Sequence, residues 1–240
     1  MIADEQQSPP FIGSPDSELL DADAFHHTIV AFIDHHLPVW RDRADRPPVT
    51  DEPRLNETLC DHLDCAARHS FDAIRFSHEP YQTPGRAADL AVKPGRQIVV
   101  EGIGYSEFEQ LLPIECKRLP TPADNRRSDC EYVHGLEGHR TGAIERFKHG
   151  LHGRFNNRAM IIAYVQENDF KHWEDVINQH LQKLADGGVD QGLWAPAEVL
   201  TAVPSKTTTG CQKLESVHRR GQPPAAFPQV KIEHLWVRMN

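Results

Sequence analysis

The sequence predicts an α/β protein with a mixed central β-sheet flanked by helices. Three observations carry that reading. Apolar residues recur at helical spacing twice near the start and then at shorter spacing, so that the central segments run helix, strand, strand, strand, helix, strand. RAMIIAYV, residues 158–165, is uniformly apolar, as befits a strand buried on both faces. At 240 residues, with 39% hydrophobic and 25% charged content, the chain has the composition of an ordinary globular protein able to bury one large core.

The elements follow in order. Residues 1–22 are rich in Pro, Ser, Asp and Gln and predict a poorly ordered tail. From Asp23, a capping residue, Phe25, Ile29, Phe32, Ile33, His36, Leu37 and Trp40 define an extra N-terminal helix that RDRADRPPV ends. A second helix spans about Thr50 to Ser70, with Leu55, Leu59, Leu63 and Ala66 on one stripe. Three strands are expected at Phe71–His78, Ala87–Lys93 and Leu111–Arg118, between Pro- and Gly-bearing turns. Ile144, Phe147 and Leu151 suit a helix over 139–153, and after the 158–165 strand Asn168 or Asp169 caps another that Gly187 and Gly188 close. Two C-terminal strands are expected at about Gln212–Arg220 and Val230–Val237.

Several classes are disfavoured. Nothing approaches about 18 consecutive apolar residues, and MIADEQQSPP lacks the basic-then-apolar order of a signal peptide, so a cytoplasmic protein with no membrane association is expected. The five cysteines are scattered and never form a Cys-x-x-Cys pair, which argues against a disulfide framework and a zinc finger. A net charge of −9 argues against nonspecific coating of nucleic acid, while leaving room for a local basic groove.

LLPIECKRLP, residues 111–120, carries the chemistry. Residues two apart share a strand face, so Glu115 and Lys117 emerge side by side while Ile114 and Cys116 point the other way. Such a pair is usually an exposed ion pair when it stands alone. Here Asp89, in GRAADLAV on the preceding strand, adds a second carboxylate at a position where Asp is disfavoured as a strand former. Neighbouring strands lie about 4.8 Å apart, so the two carboxylates can share one ion.

With that order of elements, Asp89 and the Glu115-Cys116-Lys117 triplet resemble the PD-(D/E)xK nuclease superfamily, the restriction-endonuclease-like fold, over roughly residues 50–166. Ala88-Asp89 stands where the family name has proline and acid. The resemblance implies one nuclease-like domain over 23–240 and metal-dependent hydrolysis of phosphodiesters, DNA more than RNA, with restriction or genome defence as a setting by analogy of fold. It implies Mg²⁺ or Mn²⁺ held by Asp89, Glu115 and the Cys116 carbonyl, with Lys117 serving the attacking water. Glu57, early in the second helix, resembles the helical acid that some branches add. In a helix next to the active-site strand, Arg146 and Lys148 would meet phosphate, within a basic run that also holds Arg140, His149, His152 and Arg154. Ser216, His218 and Arg220 alternate onto one strand face, where His218 and Arg220 would lie on the substrate side or on an exposed strand. A noncatalytic scaffold or regulatory subunit of the same fold, with a protein partner or a second copy, is the competing reading.

Overall fold

The computed structural model of the chain describes residues 21–83, 86–123, 130–136, 139–187, 192–203, 210–221 and 226–240. The tail expected over 1–22 lies outside them except for Asp21 and Ala22. These two open the first helix, α1 (Ala22–Arg41), whose cap is Asp21 rather than Asp23, its carboxylate accepting the Ala24 N–H at 2.8 Å. The second helix, α2 (Glu52–Ser70), is capped by Asp51 and has Pro53 in its first turn, where a missing N–H costs nothing.

Eleven strands occur among the described residues: β1 (Ile74–His78), β2 (Tyr81–Thr83), β3 (Arg86–Ala87), β4 (Leu90–Pro94), β5 (Ile98–Val100), β6 (Ile103–Tyr105), β7 (Leu112–Leu119), β8 (Arg158–Val165), β9 (Thr201–Ala202), β10 (Cys211–Arg219) and β11 (Gln229–Arg238). Helix α3 (Ala143–Lys148) joins β7 to β8, and α4 (Phe170–Ala185) follows β8, capped by Asp169 at the His172 N–H. Seven strands form one mixed sheet in the order β1-β4-β7-β8-β11-β10-β9. The β1-β4-β7 meander is antiparallel, β7 to β8 and β8 to β11 are parallel, and β11-β10-β9 is antiparallel again. RAMIIAYV lies between two parallel neighbours with seven of its eight residues buried, as its apolar run predicts.

The sheet separates two cores. On one face α1 and α2 pack Ile29, Ile33, Leu37, Leu55, Leu59 and Leu63 against Cys116, Ile162 and Leu235. On the other, Ile144 and Phe147 of α3 and Trp173, Ile177 and Leu181 of α4 meet Ile161, Ala163 and Trp236.

Three expectations are corrected. The strand expected over Ala87–Lys93 is broken: β3 pairs with β2 in a separate ribbon, and β4 begins only at Leu90, leaving Asp89 at its mouth. A hairpin of β5 and β6 turns through Glu101 (φ 50°) and Gly102 (φ 79°), the positive-φ pair that two-residue hairpin turns require, in a segment with no predicted element. The basic helix covers 143–148 rather than 139–153. Gly150 (φ 61°) and Gly153 (φ 59°) turn the chain away after it, and before it Gly142 passes so close to His134 that a Cβ would fall 2.1 Å from backbone.

Candidate functional site

β4 and β7 pair as far as Leu90 opposite Ile114 and then part, and among the described residues the rest of β7 has no strand neighbour on that side. An open strand edge has N–H groups to satisfy. Two carboxylates do so. Asp89 accepts the Cys116 N–H at 2.7 Å, and Glu52, in the first turn of α2, accepts the Arg118 N–H at 3.1 Å. In a strand the N–H and C=O of one residue face the same edge, so the Cys116 carbonyl faces Asp89's side too.

Glu115 and Lys117 share the other face, as their spacing requires. Lys117 Nζ lies 3.3 Å from Glu52, 3.9 Å from Asp89 and 4.0 Å from Glu115. Glu115 is fully buried, with Arg146 Nη1 at 2.7 Å on one oxygen and His152 Nδ1 bonded to the other. Asn56, one turn beyond Glu52, accepts the Tyr164 hydroxyl at 3.0 Å and so pins α2 to β8 with its first turn over the β7 edge.

The electrostatics follow from this packing. Burial, reinforced by Glu115, pushes the Asp89 carboxyl up to about 7, partly offset by Lys117; a 23% exposed side chain keeps it within reach of solvent. Burial alone would also raise Glu115, yet His152, Arg146 and Lys117 together hold it down at about 2. Burial works against the Lys117 charge, but Glu52, Asp89 and Glu115 outweigh it and hold the ammonium form well above the usual lysine range.

The structure thus brings Asp89, Glu115 and Lys117 together with Arg146. It adds Glu52, which the sequence reading did not name, and His152, which that reading held only as one of the basic run. Glu57 is exposed on α2, and the first-turn acid at the site is Glu52. The signal for Glu52 was available: Asp51-Glu52-Pro53 marks a helix start, the one part of α2 that can overhang the sheet.

Lys148 and His218 do not face a groove. Lys148 is fully buried, 2.5 Å from Glu198 and 4.8 Å from the centre of the Trp194 ring. His218 is fully buried against Ser216, which also meets His234, and Tyr132 meets the other nitrogen of His234. Arg220 is 9% exposed and donates to the Gly153 carbonyl at 2.9 Å and the Arg154 carbonyl at 3.3 Å, bracing the loop behind His152. In place of the expected substrate contacts, all three side chains are buried in the interior.

Asp89, Glu115 and the Cys116 carbonyl are hard oxygen donors, the type that Mg²⁺ and Mn²⁺ take. Among the described residues no group of three or more His, Cys, Asp or Glu side chains is gathered closely enough to hold a metal ion. The three carboxylates converge on Lys117 Nζ instead, and Asp89 and Glu115 are the side chains that would hold such an ion. Each carboxylate oxygen has two lone pairs, which leaves Glu115 acceptor capacity beyond Arg146 and His152.

No model of a known protein family matches the chain, and no solved structure matches it. Over 100 residues, 41% of the chain, it is 31% identical to Protein dispatched homolog 3 of Homo sapiens, and this stretch spans only 7% of that protein's length. No helix among the described residues is long and apolar enough to cross a membrane.

Proposed function

We propose that the chain is a metal-dependent nuclease, cutting DNA in preference to RNA, built on a restriction-endonuclease-like core. The observation that carries this reading is the placement of Lys117 Nζ between Asp89 and Glu115, 3.9 and 4.0 Å away, where β4 and β7 part. The element order α2-β1-β4-β7-α3-β8 supports it, since it is the order that the resemblance implies. Lys117 would orient the attacking water and offset charge as it develops. Asp89, Glu115 and the Cys116 carbonyl would hold Mg²⁺ or Mn²⁺, which supplies Lewis acidity and a water of lowered pKa when bound. Besides its bond to Glu115, Arg146 has a buried Nε with no partner among the described residues, a spare donor suited to a phosphate oxygen. The five cysteines, with no disulfide among the described residues, are in keeping with a cytoplasmic setting.

The test is incubation of the purified chain with supercoiled plasmid, linear duplex, single-stranded DNA and RNA, each with Mg²⁺, Mn²⁺ or EDTA. Cleavage is expected with either metal, lost in EDTA and lost in Lys117→Ala. A well-folded wild type that cuts none of these would leave the scaffold reading in its place.

A further inference from the structure

A cleft of about 510 Å³ opens beside the site, walled by the start of α1, strand β2, the turn before β7 and the loop from Gly153 to Arg158. Of the four exposed aromatic side chains among the described residues, three line it: Tyr81 (72% exposed), Phe155 (69%) and Phe227 (38%). Large rings held in water beside a concavity are unusual unless something covers them.

The remaining lining is polar. Arg154 stacks on Phe155 at 4.6 Å, and its Nε is buried with no partner among the described residues. Gln82, Gln110 and Asn156 add amides, tied to one another through Gln82 Nε2 to Gln110 Oε1 at 3.0 Å and Asn156 Nδ2 to the Gln110 carbonyl at 2.9 Å. The acids there are engaged: Asp23 with Arg158, and Glu109 with Ser106.

The cleft and the site share a wall. Gly153 follows His152, which is bonded to Glu115, and Gln82 Oε1 accepts the Gly153 N–H at 3.0 Å. A Cβ on Gly153 would lie 2.6 Å from the Pro113 ring on β7, so this loop is seated directly on the strand that carries Glu115. Tyr81 pairs with Ala87, two residues before Asp89.

We propose that this cleft binds an unpaired nucleobase of the strand being cut, next to the scissile phosphate, which makes single-stranded or locally opened nucleic acid the preferred substrate. The proposal rests on the nuclease reading. The volume lies within the range of small-ligand sites, about 300–1,000 Å³, which suits one base taken out of a stack rather than a paired helix. A nucleobase offers a π-face to the exposed rings and an edge acceptor to the Arg154 guanidinium, whose Nε an apolar peptide would leave unmatched.

The full chain, in EDTA, is titrated into DNA and RNA oligonucleotides carrying one 2-aminopurine, single-stranded or fully paired. The single strand should bind more tightly than the duplex and its fluorescence should be quenched by stacking, with the DNA and RNA arms showing which sugar is preferred. Tyr81→Ala and Phe155→Ala should each weaken single-strand binding by about 5- to 150-fold and relieve the quenching, while Phe155→Trp retains both. Equal affinity for duplex and single strand, unquenched fluorescence, or alanine variants that bind like wild type would overturn the proposal. Cleavage without quenching discards the cleft and keeps the nuclease. Quenching that Tyr81→Ala abolishes, with no cleavage in any metal, keeps the cleft and discards the nuclease.

Discussion

Glu115 is more heavily engaged than a metal ligand alone needs to be. With Arg146 and His152 on its two oxygens and Lys117 beside it, its single negative charge faces two cations and an imidazole from a fully buried position. Glu115→Gln should therefore lower stability as well as abolish cleavage, because it takes from Arg146 its carboxylate partner while Lys117 keeps Glu52 and Asp89; breaking a buried pair costs about 3–5 kcal/mol. Denaturant unfolding beside the cleavage assay checks this, and a variant as stable as wild type would show that the cluster is not held by that charge. Lys117→Ala removes the central cation and keeps all three carboxylates, so Mn²⁺ should raise its melting temperature more than it raises that of wild type, while turnover is lost. Glu52→Gln should lower cleavage, and Glu57→Gln, on the exposed side of α2, should leave it unchanged. Equal effects of these two substitutions would mean that the β7 edge contact of Glu52 plays no part in the chemistry.

At the scale of elements, the regular periodicities were legible and the irregular junctions were not. The stripes of α1, α2 and α4 and the alternation of β7 repeat a single spacing, which local sequence records. Asp89 and Glu52 instead act where regular structure stops, one at the mouth of β4 and the other in the first turn of α2, and their meeting depends on how far β4 and β7 run before parting. The basic run misled for a related reason. A charge run is usually a solvated face, yet Lys148 lies beneath Trp194 and Glu198 because α3 ends after six residues and the chain folds back over it. Glu198 is central to that interior cluster. Burial would raise its pKa from near 4.5, but His218 and Lys148, with the Arg219 N–H, hold it at about 2. A carboxyl depressed in the folded state contributes stability above its unfolded value and loses it as pH falls. The contribution should be complete above about pH 4.5 and gone by about pH 2. Glu198→Gln alone should destabilise by about 3–5 kcal/mol by stranding the Lys148 charge, and Lys148→Met in the same chain should recover much of that. The double variant should also show a shallower loss of stability than wild type between pH 4.5 and 2, measured by acid unfolding; parallel curves would place the acid sensitivity elsewhere.

For the molecule as a whole, the two cores are physically one structure, because the central strands feed both. In β8, Met160, Ile162 and Tyr164 enter the core under α1 and α2, while Ala159, Ile161, Ala163 and Val165 enter the core under α3 and α4. β11 divides the same way, with Leu235 and Val237 on one side and Trp236 between them on the other. Stripping α1 and α2 from the sheet would expose one row of each strand and loosen the backbone that positions the other row. The site depends on this coupling, since Glu52 comes from the first helix pair while Arg146 and His152 come from α3 and the loop behind it. Chains of this length often unfold through intermediates, so the expectation of a single transition is a specific one. Trp40 is 1% exposed in the first core and Trp236 is fully buried in the second, which gives each core its own fluorescent reporter. In two variants, each retaining one of these tryptophans and carrying Phe at the other three Trp positions, the denaturant midpoint from fluorescence should coincide with that from far-ultraviolet circular dichroism of the same variant. A Trp236 signal lost before the backbone signal would mean that the α3 and α4 layer opens by itself. In that case the Arg146 and His152 contacts to Glu115 would be the weakest part of the site, and cleavage would be lost on that earlier transition.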